Sequence, residues 1–131
     1  MFSRRHVLGA FVLAAAIAVA PYADAMTPKA FDQKAFEAAQ AAGKPILVEV
    51  HAPWCPTCKA QQPILDNLTA KPAFRNFVTF RIDFDSQKDL LRKLNVRSQS
   101  TLIVFKGKTE AGRSTGDTNP ASIEALLAKA I

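Results

Sequence analysis

The chain has 131 residues, 17 of them Lys or Arg and 11 Asp or Glu, for a formal net charge of +6. That length holds one domain and leaves no room for a second. The positive excess is spread out, densest at Arg92, Lys93 and Arg97, with no basic run interleaved with aromatics, which excludes a nucleic-acid-binding module.

The first residues read as an export signal rather than as fold. Arg4 and Arg5 form a basic start, Val7 to Ala20 is apolar, Pro21 breaks the run, and Ala23-Asp24-Ala25 is a small-x-small cleavage site. The apolar run is shorter than the roughly 20 residues that a membrane span needs. Ser3-Arg4-Arg5-His6-Val7-Leu8 also resembles the twin-arginine export pattern. Residues 1–25 are therefore expected to be removed. Residues 26–131 remain, with no stable membrane insertion, in the periplasm or another exported location.

Phe31 to Ala42 is alanine-rich and free of breakers, and reads as a helix stopped by Gly43 and Pro45. Ile46 to Val50 is a nearly continuous apolar run, the mark of a buried strand. A helix follows Cys55 to about Leu68, with Ile64, Leu65 and Leu68 at helical spacing and a kink expected at Pro63. Phe77 to Asp83 is a second strand. Ser86 is a candidate cap for the next helix, whose apolar face is Leu90, Leu91 and Leu94. Thr101 to Phe105 is a third strand. Lys106-Gly107-Lys108 turns into a more polar fourth, Thr109 to Ser114. Asn119-Pro120 opens a last helix with Ile123, Leu126, Leu127 and Ile131 facing inward. Helices and strands that alternate and then end in a hairpin imply an α/β domain, a mixed sheet covered by helices on both faces.

The only two cysteines stand in Trp54-Cys55-Pro56-Thr57-Cys58-Lys59, between the first strand and the second helix. Closing so short a loop removes little unfolded-chain entropy, so a bond between them is better suited to being made and broken than to holding the fold. A thiol at a helix N-terminus faces unpaired N–H groups and the positive end of the helix dipole, which favour the thiolate. A second thiol one turn deeper can attack a mixed disulfide on the first and release the partner. Glu49 interrupts the first strand. It is read either as an outward-facing strand residue or as a buried carboxylate of raised pKa that takes the proton from Cys58.

The segment Pro45-Ile46-Leu47-Val48-Glu49-Val50-His51-Ala52-Pro53-Trp54-Cys55-Pro56-Thr57-Cys58-Lys59 resembles thioredoxin, as do Pro63, Gly116 and the strand end Arg81-Ile82-Asp83-Phe84-Asp85. The resemblance implies a single thioredoxin-like domain in which Cys55 attacks, Cys58 resolves and Glu49 fills the place of a buried acid that is usually Asp. It puts Trp54, Gln99, Ser100 and Thr101 against substrate. Arg81 falls where the family often has a lysine, and an arginine there would hold Glu49 ionised. The implied partners are cysteine-containing protein substrates and a redox partner protein. No flavin or other cofactor is implied, and a monomer is expected. The lead-in Ala42-Gly43-Lys44-Pro45 is similar to that of periplasmic thioredoxin-like domains and of membrane-bound disulfide reductases, and the latter likeness, with the acid at Glu49, tilts the expected direction toward a reductant.

One position departs from the family pattern. Ser100 stands where a cis-proline is expected, and no proline occurs between Pro72 and Pro120. A cis bond before a non-proline residue costs about 2.5–4 kcal/mol, so the Gln99–Ser100 bond is expected to be trans. In the family that proline also keeps metal ions off the sulfurs. The alternative function is therefore a metal-binding or metal-delivery module using His51, Cys55 and Cys58. A third reading, a non-catalytic adaptor, is disfavoured by the intact cysteine pair.

Overall fold

The structure, a computed structural model, describes residues 27–131. The expected export signal lies outside the described residues. The elements are β1 (Lys29–Ala30), α1 (Gln33–Ala41), β2 (Pro45–His51), α2 (Pro56–Thr69), a 3-10 turn (Pro72–Phe74), β3 (Val78–Asp83), α3 (Lys88–Lys93), β4 (Thr101–Lys106), β5 (Thr109–Thr115) and α4 (Pro120–Ala128). The strands form one sheet in the order β1-β3-β2-β4-β5. β3 runs parallel to β1 and β2, whereas β4 is antiparallel to both β2 and β5.

β2 is the centre of this sheet, and its alternation sorts the core. Ile46, Val48 and Val50 pack on one face with Phe36 of α1, Phe80, Leu91 of α3 and Ile103. Leu47 packs on the other with Leu65 and Leu68 of α2, Phe77, and Ile123 and Leu127 of α4. Since strand side chains alternate, Glu49 and His51 project to the α2 side with Leu47. Both faces being covered, the strand is apolar almost throughout. No helix among the described residues is long and apolar enough to cross a membrane.

Several boundaries differ from the sequence expectations, each for a local reason. α1 starts at Gln33 rather than Phe31, because the Asp32 carboxylate accepts the Ala35 N–H as an N-cap. It ends in a Schellman motif: Gly43 at φ +69° donates to the Gln40 carbonyl and Lys44 to that of Ala39. Ser86 does not cap α3. The Asp83 carboxylate instead accepts the Asp85 and Ser86 N–H groups, and the helix begins two residues later. α2 continues through Pro63 to Thr69. Ile131 is exposed rather than inward-facing.

α4 begins as expected, with Pro120 at its first position and the Asn119 side chain accepting the Ala121 and Ser122 N–H groups. Asn119→Ala leaves those donors without their partner and is expected to cost about 1 kcal/mol. A fall of about 5 °C in the thermal midpoint would register it.

Candidate active site

β2 delivers the chain to the site, and α2 carries it away. Cys55 is the N-cap of α2 in extended conformation, Pro56 takes the first helical position, and the Cys55 sulfur accepts the Cys58 N–H at 3.1 Å. Proline suits this position because its missing N–H would be an orphan donor at a helix start. Cys58 lies one turn on, with its sulfur 3.9 Å from the Val50 carbonyl. Both thiols are free and buried, and they pack with Ala52 and Phe84. The relative exposure of Cys55 is 0 %.

Ser100 covers the pair from the opposite side. The Gln99–Ser100 bond is trans, and no cis bond occurs among the described residues. Ser100 lies at φ +63°, in a region that non-glycine residues seldom enter. Its N–H donates to the Val50 carbonyl at 2.9 Å, while its own carbonyl accepts the Gly116 N–H at 3.0 Å. The Gln61 amide, buried on α2, donates to that same carbonyl at 3.2 Å and to the Asp117 carbonyl at 2.8 Å. The Ser100 hydroxyl lies 3.1 Å from the Cys55 sulfur and 3.3 Å from the Cys58 sulfur.

These contacts separate the two thiols. Burial works against a Cys55 thiolate. Hydrogen bonds from the Cys58 thiol, the Ser100 hydroxyl and the Cys58 and Thr57 backbone outweigh it, and the thiol is held below its ordinary pKa. Burial pushes the Cys58 thiol up, and its hydrogen bond to Cys55 pushes the same way.

Glu49 is buried rather than outward-facing. Its Oε2 accepts from Arg81 Nε at 3.2 Å and Nη2 at 3.0 Å, and Arg81 also bonds the Gln62 side chain. The strand register sets this pair, with Glu49 opposite Arg81 on the neighbouring strand. Burial raises the Glu49 pKa and prevails over the opposing pull of Arg81. Arg81 pulls the Glu49 pKa down, as expected of an arginine there, and desolvation is the larger, opposing effect. A cleft of about 500 Å³ opens beside the pair, walled by His51, Cys58, Gln62, Asp66 and Arg81. It gives solvent a route to the Cys58 side of the dithiol.

His51 shares that cleft with Cys58, and burial holds its pKa below the usual value. Cys55 instead points under Ser100. No three His, Cys, Asp or Glu side chains converge as a metal-binding group among the described residues. That geometry gives the metal-module alternative through His51, Cys55 and Cys58 no support.

Of the residues expected to meet substrate, Trp54 is the most open, at 56 % exposure. Its indole N–H donates to Asp85 at 2.8 Å, and its ring meets Phe84 edge-on. Gln99 is half-buried. Thr101 is buried, and its hydroxyl donates to the Ser98 carbonyl at 2.8 Å. Sequence reading missed Gln61, Asp85 and the sulfur-facing hydroxyl of Ser100. Gln61 had left a signal, since it continues the helical stripe of Cys58, Leu65 and Leu68.

The family model described as Thioredoxin matches residues 25–129. Thioredoxin Asp f 29 of Aspergillus fumigatus is 32% identical over 100 residues, covering 76% of this chain and 90% of that one. A thioredoxin of Echinococcus granulosus is 35% identical over 99 residues, with the same two coverages of 76% and 90%. Among solved structures, Trxlp from Edwardsiella tarda EIB202 superposes with a TM-score of 0.74 at 42% identity, over 77% of this chain and 98% of that one.

Proposed function

Since the chain belongs to the thioredoxin family and is a thiol–disulfide oxidoreductase of that type, acting on cysteine-containing proteins, we propose that it is an exported, monomeric reductant of protein disulfides. Cys55 is the nucleophile. Its thiolate attacks a substrate disulfide, one substrate thiolate leaves, and the other half stays bound to Cys55. Cys58 then gives up its proton and attacks the Cys55 sulfur. The second substrate thiolate leaves, and Cys55 and Cys58 end as a disulfide, two electrons poorer. Glu49, paired to the Arg81 that walls the cleft Cys58 borders, is the acceptor we assign to the Cys58 proton.

The observation that carries these roles is the asymmetry of the two sulfurs. The Cys55 thiolate is favoured at the mouth of α2, and the Cys58 thiol is held neutral behind it. Support for the reductant direction comes from the lead-in Ala42-Gly43-Lys44-Pro45, which resembles that of membrane-bound disulfide reductases, and from the buried acid at Glu49. Support for export rests on the basic, apolar and small-x-small pattern of residues 1–25.

One experiment tests both parts. The full chain, produced in a bacterium, is expected in the periplasmic extract, shortened at Ala25. Its potential against glutathione is expected near the thioredoxin value of about −270 mV. An uncleaved cytoplasmic chain would refute export, and a potential near about −120 mV would make it an oxidant.

A further inference from the structure

Ser100 occupies a conformation that glycine would adopt without penalty, at φ +63°. A side chain kept in such a place is a reason to look for what it does. Its backbone is pinned by Val50, Gly116 and Gln61. That leaves its hydroxyl a fixed point, 3.1 Å from one sulfur and 3.3 Å from the other. The residue is 3 % exposed, so water does not compete freely for this bond.

We propose that Ser100 is a third catalytic residue, a single hydroxyl that serves the two sulfurs in turn. The proposal rests on the redox roles given above to Cys55 and Cys58. A serine hydroxyl has one proton to donate and two lone pairs to accept with. While Cys55 is the attacking thiolate, the hydroxyl and the Cys58 thiol each donate to it. When the Cys55 sulfur forms its bond to a substrate sulfur, it loses its charge and with it most of its hold on that proton. The hydroxyl then rotates toward Cys58. As Cys58 yields its own proton to Glu49, the hydroxyl bonds the thiolate that forms, which attacks Cys55 and expels the substrate thiolate. Ser100 ends each cycle with the proton it began with, and all the electrons come from the two cysteine sulfurs.

A residue that merely filled the space would leave both steps unchanged on losing its oxygen. The test uses the full chain with Ser100→Ala and Ser100→Gly. Glycine guards against misfolding, because it suits the positive φ. Two readouts are taken: the pH profile of Cys55 alkylation by iodoacetamide, located by peptide mass, and the amount of protein–substrate mixed disulfide trapped by acid during turnover. In either folded variant the alkylation midpoint is expected to rise by about one pH unit, a tenfold loss of thiolate below it. The mixed disulfide is expected to accumulate several-fold over the unsubstituted protein. Unchanged midpoints and unchanged mixed disulfide in Ser100→Gly would overturn the proposal while leaving the redox roles intact. Absence of disulfide exchange in the unsubstituted protein would instead overturn those roles, and the Ser100 proposal with them.

Discussion

Cys55→Ser is expected to abolish turnover of protein disulfides, by a factor on the order of 10³ or more, as nucleophile deletions in other covalent enzymes do. The reason lies in where each sulfur sits. The Cys55 sulfur caps α2 and accepts hydrogen bonds from the helix start, so it is the thiol poised as thiolate. Serine at the same place would accept the same bonds, but its hydroxyl stays protonated near neutral pH and attacks disulfides poorly. Cys58 does not substitute for it, because burial raises the Cys58 pKa. The companion variant Cys58→Ser has a different signature. Its first step survives, and a stable mixed disulfide with substrate builds up to one equivalent of protein. Insulin reduction followed by non-reducing electrophoresis reads both outcomes. Turnover retained in Cys55→Ser would refute the assignment.

Arg81→Ala is expected to destabilise the fold by about 2–3 kcal/mol at pH 8, since it strands a buried carboxylate. Glu49 is 5 % exposed, and among the described residues Arg81 is its one ion-pair partner. Arg81 itself is about one-third exposed, which keeps the figure below that of a fully buried pair. The loss depends on pH in a definite direction. Burial already raises the Glu49 pKa, and Arg81 is what restrains the rise. A carboxyl whose folded pKa exceeds its unfolded value binds protons more tightly when folded, so stability falls as pH rises through that interval. Without Arg81 the interval widens upward. The penalty of Arg81→Ala should therefore shrink as the pH is lowered and Glu49 takes up its proton. Glu49→Gln removes the charge and should rescue much of the loss in the double variant. Urea unfolding of the four proteins at pH 5 and pH 8 forms the cycle that measures this coupling. Strictly additive losses at both pH values would show that the pair contributes no coupling.

The redox pair was legible because its setting is made of long, regular signals. The apolar run Ile46 to Val50 announced the central strand, and two cysteines one turn apart at a helix start announced the chemistry. What escaped was set by contacts between distant parts of the chain. β1 is two residues long and exists only because β3 pairs with it. The start of α3 moved because the Asp83 carboxylate claimed the turn ahead of Ser86. Ser100 was visible as a departure from the family pattern and the trans bond followed from it. Its positive φ and the aim of its hydroxyl did not, because both depend on Val50, Gly116 and Gln61 closing around it. The metal reading finds no support in the structure for the same kind of reason. His51 is close to the cysteines in sequence, yet it faces the cleft that Cys58 borders while Cys55 is covered from the β4 side.

The cover over Cys55 also sets an order of events during folding. Ser100 lies 45 positions beyond the cysteine it shields, and β2 bonds to β4 only after the chain between them has been made and folded back. Contacts of such separation form late, since loop closure must precede them. A nascent chain therefore passes through a stage in which α2 and its two thiols have no lid. Oxidants and foreign thiols have their widest access to the pair at that stage, and docking of β4 ends it.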